Sequence, residues 1–144
     1  MSTEMRKPRF NHVAMSVPAE LLGETGRREL CDFYREVFGW NELPTETVDG
    51  KKLVFGVHAI EQFVFLIADE SPMTAPRLDH FGLSVGTEAE LDNVLANAKA
   101  YQARDDRVDI IDKQTEDHGM LAITSIYVGY LLPMMVEIQY WDYK

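Results

Sequence analysis

Two short segments of alternating polarity each open a longer, similar stretch of chain. In Phe10-Asn11-His12-Val13-Ala14-Met15-Ser16-Val17, residues Val13, Met15 and Val17 make one apolar face, while Phe10, His12, Ala14 and Ser16 share the other. In Asp79-His80-Phe81-Gly82-Leu83-Ser84-Val85, Phe81, Leu83 and Val85 lie opposite His80, Gly82 and Ser84. A helical period follows each strand. Leu30, Phe33, Tyr34, Val37 and Phe38 form a stripe within residues 27–39, and Leu91, Val94, Leu95, Ala98 and Tyr101 form another within 88–103. Three extended runs then complete each half: 42–48, 51–58 and 62–68, and later 108–113, 123–130 and 135–141. The pattern is β-α-β-β-β twice, an α+β chain. Module 1 spans about 8–69 and module 2 about 79–142. The linker falls at about 70–78, in a stretch where Pro72 and Pro76 break any ladder.

Laying the final strands over each other without gaps pairs Gly56 with Gly129 and Val64 with Glu137, an offset of 73 in both cases (129−56, 137−64). On that overlay Val64 holds the slot that Glu137 fills in the second copy. With the helices covering the Val13 and Phe81 faces, His12 and His80 look the other way, into whatever the sheets enclose. Glu137 shares its face with Met135, Gln139 and Trp141, opposite Val136, Ile138 and Tyr140.

At 144 residues with 46% apolar content, the chain is long enough for one domain with a real core. No run of eighteen apolar residues is present and the polar start MSTEMRKPRF has no signal-like segment, so a soluble, cytoplasmic protein is expected. The single cysteine, Cys31, rules out an intrachain disulfide framework or thiolate zinc site and reads as a small buried residue of the first helix. A formal charge of −10 with 14 scattered Lys and Arg argues against nucleic acid, and nothing points to a membrane. A small-molecule partner is the better expectation.

A carboxylate facing into a concave sheet is costly to desolvate unless it is paired or bound to a cation. Two neutral imidazoles and one carboxylate, His12, His80 and Glu137, fit a 2-His-1-carboxylate divalent-metal site with open coordination positions. The plainer alternative is that each histidine is a hydrogen-bonded core or surface residue. Phe10, Phe65, Met135 and Trp141 are candidate apolar walls for a substrate pocket.

The sequence resembles the vicinal oxygen chelate superfamily, which includes glyoxalase I, bleomycin-resistance proteins, fosfomycin-modifying enzymes and type I extradiol dioxygenases. The resemblance rests on His12, on Asp32-Phe33-Tyr34-Arg35-Glu36-Val37-Phe38-Gly39-Trp40, on Asp79-His80-Phe81-Gly82-Leu83 and on Val136-Glu137-Ile138-Gln139-Tyr140-Trp141, and it covers roughly residues 8–142. It implies two β-α-β-β-β modules pairing into a curved mixed sheet around a concave metal site. Glyoxalase-type members use one His or Gln and one Glu per module, and the first-module glutamate position here reads Val64. Gln62 lies on the same face and could reach inward, whereas Glu61 falls on the opposite face.

Similarity to the extradiol branch implies His12, His80 and Glu137 as the full ligand set for a divalent metal, first of all Fe(II), with Mn, Zn, Ni and Co as alternatives. It also implies Tyr127, nine residues after His118 and ten before Glu137, as a catalytic group, with His118 and His58 as acid-base candidates. Each has a simpler reading, as a core tyrosine or an exposed histidine. The Tyr130-Leu131-Leu132-Pro133 turn departs from the family pattern. The expected activity is an extradiol-type dioxygenase, an oxidoreductase cleaving a catechol-like aromatic small molecule. A metal-dependent isomerase or lyase, or a metal-free drug-sequestering module, remains the alternative. The resemblance further implies a homodimer, and some relatives exchange modules so that one site draws ligands from two chains.

Overall fold

Helix α1 (Glu24–Phe38) buries Leu30, Phe33, Tyr34 and Val37, the core of the predicted stripe, and stops where Gly39 takes a left-handed conformation (φ 76°). Helix α2 (Glu88–Gln102) starts at Thr87. The Thr87 hydroxyl accepts the Glu90 N–H while the Glu90 carboxylate accepts the Thr87 N–H, a reciprocal capping box. Leu91, Leu95 and Ala98 are its buried face. The computed structural model describes residues 6–144 and places around these helices strands β1 (His12–Val17), β2 (Asn41–Glu42), β3 (Lys52–Gly56) and β4 (Phe63–Ala68), then β5 (His80–Val85), β6 (Asp109–Asp117), β7 (Leu121–Gly129) and β8 (Met135–Tyr143). This is the expected α+β chain of two β-α-β-β-β units.

Each unit makes its own four-stranded sheet, in the orders β1-β4-β3-β2 and β5-β8-β7-β6. The β1/β4 and β5/β8 pairs are parallel and the others antiparallel. Within the chain the two units meet through α1 and α2, not through a shared ladder. Phe33 of α1 stands at that junction, 5.1 Å from the Tyr101 ring and 4.3 Å from the Tyr130 ring, and the buried Tyr34 hydroxyl donates to the Tyr130 carbonyl at 2.9 Å. Arg107 adds a polar clasp, reaching Glu29, Asp105 and the Tyr130 hydroxyl. Strands β1 and β5, which carry the two candidate histidines, are therefore the outer strands of their sheets. Among the described residues no helix is long and apolar enough to cross a membrane.

Two local expectations fail for identifiable reasons. The run 42–48 is not a full strand. The last bond to β3 is the one that the Leu43 N–H donates to the Val54 carbonyl at 2.8 Å, because Pro44 has no N–H to continue a ladder and starts a tight turn over Pro44–Glu46. Cys31 is half-buried and not wholly enclosed, and its thiol donates to Glu42 Oε2 at 3.4 Å. Burial, with the Glu42 carboxylate adding to it, pushes this thiol up to about 12.

A third departure, in the register of the last strands, bears on the site. In β1/β4, His12 is opposite Phe63, and in β5/β8, His80 is opposite Met135, so the equivalence along the last strands is 72 (135−63) and not 73. The slot of Glu137 in module 1 is therefore Phe65 (137−72). Val64 points into the helix-covered core, where it is almost fully buried. The gap-free overlay is right for Gly56 and Gly129 but slips at the next turn. Six residues, 57–62, join β3 to β4, whereas five, 130–134, join β7 to β8. The shorter turn has Leu131 in the left-handed region at φ 59°.

Candidate metal centre

The face of the second sheet turned away from α2 carries the site. In β8, Glu137 lies between Gly82 of β5 and Tyr127 of β7, its register partners on either side. The glycine makes room: a Cβ built at residue 82 would come within 3.3 Å of Glu137 Oε1. Glu137 is only 6% exposed, a buried carboxylate with no Lys or Arg among the residues around its cavity. His80 stands beside it, Nε2 at 3.6 Å from Oε1. The other ring nitrogen, Nδ1, is 2.7 Å from the Leu78 carbonyl, an acceptor that requires the proton on Nδ1. The Nε2 lone pair is thereby left free and turned toward the carboxylate.

A lone pair facing an anion across 3.6 Å is unfavourable unless a proton or a cation lies between them. A backbone-anchored Nδ1 with a free Nε2 is also the arrangement that metal-ligating histidines adopt. The donor set therefore fits a divalent ion. Tyr127 completes this corner, its ring edge-on to His80 at 5.0 Å. Hydrogen bonding to the Glu137 carboxylate, then burial and the charge of that carboxylate, push the Tyr127 phenol up to about 12, so it stays protonated at neutral pH.

From this corner a cavity of about 240 Å³ runs outward along the sheet, lined by His80, Tyr127 and Glu137 and then by Gln114, Ser125 and Gln139, with Glu116 and Ile123 further out. Sequence reasoning missed Gln114, Glu116, Ser125 and Gln139. The strand pattern placed Gln139 on the right face, but the β6 residues depended on a register shift between Ile111 and Gln114 that periodicity does not reveal.

The remaining candidates lie elsewhere. His12, in β1, stacks on Phe63 at 4.7 Å, and its Nδ1 is 2.5 Å from Asn11 Oδ1, which again leaves Nε2 free. It is not among the cavity residues. Among the described residues no three His, Cys, Asp or Glu side chains gather within one chain to hold an ion. Phe65 shares the His12 face of the first sheet, and Phe10, 98% exposed ahead of β1, forms no wall within the chain. Met135 is buried on the second sheet against Gly129, and Trp141 is partly exposed on the same face as Ile123. His58 is exposed in the β3–β4 connection, and His118 sits in the β6–β7 turn with Nε2 3.4 Å from Glu116 at the cavity rim. The structure thus brings together His80, Glu137 and Tyr127, and leaves His12, His58 and His118 outside the cavity lining.

Substitution of Gly82 by alanine should disturb the site without unfolding the sheet. The added methyl would press on Oε1 at 3.3 Å and turn the carboxylate, with an expected loss of roughly ten-fold or more in divalent-metal affinity, the scale of a misplaced supporting group. Unchanged affinity in a calorimetric titration would show that Glu137 has slack.

No protein-family model matches the sequence, and no curated protein sequence does. Solved structures do resemble it. Lactoylglutathione lyase from Agrobacterium tumefaciens superposes with a TM-score of 0.62 at 16% identity, over 94% of this chain and 96% of that one. The fosfomycin resistance protein FosX from Listeria monocytogenes, in a complex with Mn(II) and sulfate, gives 0.62 at 15% identity over 94% and 91%. FosX from Mesorhizobium loti gives 0.60 at 14% over 94% and 93%. The paired β-α-β-β-β fold of this chain is the fold of the glyoxalase and FosX structures.

Proposed function

We propose that this protein is a divalent-metal-dependent enzyme acting on a small molecule that offers two adjacent oxygens. The observation that carries the reading is the free Nε2 of His80 facing the buried Glu137 carboxylate in a cavity without a lysine or arginine. The ion, when bound, would supply a Lewis acid and a template for both oxygens. Glu137 and His80 would hold it, and Tyr127 would steady the carboxylate from the neighbouring strand. The third ligand in this reading is His12 of a second copy. Its Nε2 is free, it sits on an outer strand, and the first sheet offers Ala14, Phe63 and Phe65 as an apolar wall on the same face. A homodimer exchanging modules would bring that wall over the cavity.

Within this class we favour an Fe(II)-dependent extradiol-type dioxygenase, supported by the three-ligand set and by Tyr127 next to Glu137. Phe65, where a second carboxylate would stand, removes the first-module base that a glyoxalase-type proton transfer would use. The likeness to a lyase and to FosX keeps a non-oxidative reading alive. For a FosX variant the bound ligand is 1S,2S-dihydroxypropylphosphonic acid, an anion, and the cavity here has no cationic side chain to receive one.

The test combines metal content with chain mixing. Protein purified without added metal is expected to contain one ion per chain, and iron with catechol-dependent oxygen uptake would establish the oxygenase. Zinc, nickel or cobalt with oxygen-independent turnover would overturn that choice in favour of the isomerase or lyase. His12→Ala and Glu137→Gln chains should each be empty. Unfolded together and refolded at equal amounts, they should regain about a quarter of the wild-type sites, since half the dimers are mixed and each has one intact site. Metal retained by the His12→Ala chain alone would place His12 outside the site, and two empty chains that recover nothing on mixing would mean that His12 and Glu137 serve the site from one chain.

A further inference from the structure

We infer that the organic ligand of this site bears a positively charged, ammonium-type arm, and that Glu116 selects it. The inference deepens the metal-enzyme reading above and rests on it. The outer half of the cavity lies beyond the metal corner. There β6 and β7 run on past the core of the sheet. In this overhang Gln114 is opposite Ser125, and Glu116 is opposite Ile123. Gln139 and Trp141 of β8 continue the same rows as the register partners of Ser125 and Ile123. A ligand anchored at His80 and Glu137 and extending outward therefore meets amide and hydroxyl groups first, then a carboxylate flanked by Ile123 and the Trp141 row.

The lining carries two carboxylates, Glu137 and Glu116, and no Lys or Arg, and the only imidazole near Glu116 is His118 at the rim, its Nε2 3.4 Å from the carboxylate. A divalent ion at the inner corner would be offset by Glu137 together with the ionised chelating oxygens of the ligand, which leaves Glu116 as the charge an outer arm encounters. The nearest cationic side chain by register on the first sheet's corresponding face, Lys52, lies opposite Ile67 at the end away from His12, and its ammonium is 4.0 Å from Glu46. Arg9, near the start of β1, is held by Glu61. A carboxylate or phosphonate arm would find no Lys or Arg in such a cavity, would meet only the rim imidazole of His118, which Glu116 already faces, and would be repelled by Glu116. An ammonium arm would find a partner there, with an aromatic surface in the next row.

The experiment uses the full-length protein loaded with zinc, so that no turnover occurs, and three catechols that share the chelating head: 4-methylcatechol, 3,4-dihydroxybenzylamine and 3,4-dihydroxyphenylacetate. Metal content is measured on every sample, and affinities by calorimetry. The amine is expected to bind at least about five-fold more tightly than the acid, the scale of one partly screened charge pair. Glu116→Gln should bring the two within about two-fold, and Glu116→Lys should reverse their order. Full metal content with equal affinities, with the acid preferred, with the preference unmoved by Glu116→Gln, or with no catechol bound would overturn the inference while leaving the metal site standing. Absence of metal after loading would overturn the underlying reading, and this inference with it.

Discussion

Replacing Glu137 by glutamine is expected to abolish metal uptake while leaving the fold at least as stable as before. Glutamine keeps the shape and can still meet Tyr127, but it removes the one anionic donor that the second sheet places at the inner corner. Changes to mere supporting groups of a metal site already cost about 10–100-fold, so loss of a direct ligand should exceed about a hundred-fold. The stability side has the opposite sign. In the metal-free protein Glu137 is a buried carboxylate with no Lys or Arg beside it, its neighbours being Tyr127 and, at 3.6 Å, the His80 Nε2. Neutralising it should leave the melting temperature of the metal-free protein unchanged or raise it. A variant that melts well below the parent would mean that the carboxylate has a structural partner. A variant that still binds an ion stoichiometrically would remove Glu137 from the ligand set.

The second large effect is expected at the junction of the modules. Phe33 is fully buried, with Tyr34, Tyr101 and Tyr130 within 4.3–5.1 Å between ring centroids. Truncation to alanine would open a cavity among three aromatic rings that cannot close around it. The cost expected for a buried Phe→Ala is about 3–5 kcal/mol. For a chain of this size that corresponds to a fall of roughly 10 °C in melting temperature. Because the two sheets share no ladder, the same variant tests whether the modules unfold together. A single displaced transition is expected, since α1 and α2 contribute to one continuous core. Two transitions would show that each module is an independent folding unit.

Much of this architecture was legible in the sequence because its signals are periodic. The stripe Leu30, Phe33, Tyr34, Val37 is the buried face of α1, and alternation placed His80 and Glu137 on the face away from the helices. Where reading failed, the cause is a single step of register. A strand alternates every residue, so a turn longer by one residue moves a whole strand to its other face. Val64 and Phe65 exchanged roles on that account alone. The extent of β2 was lost to Pro44, whose missing N–H a hydrophobicity pattern does not weigh strongly enough. His12 was read correctly as facing away from α1, but alternation along a strand carries no information about which other strands, or which chain, that face will meet. Gln114 and Glu116 were invisible because the irregularity between Ile111 and Gln114 decides how β6 presents them.

Phe65 at the register position equivalent to Glu137 also has a stereochemical consequence. Two halves related by duplication tend toward a site with approximate twofold symmetry, in which a flat ligand turned end for end would find the same surroundings. With a carboxylate in one half and a phenyl ring at the equivalent register position of the other, that equivalence is gone. The two ends of a bound molecule become distinguishable, and so do its two faces. A reaction that creates a new asymmetric carbon on this scaffold would accordingly yield one hand, and one that opens a ring would open it at one bond.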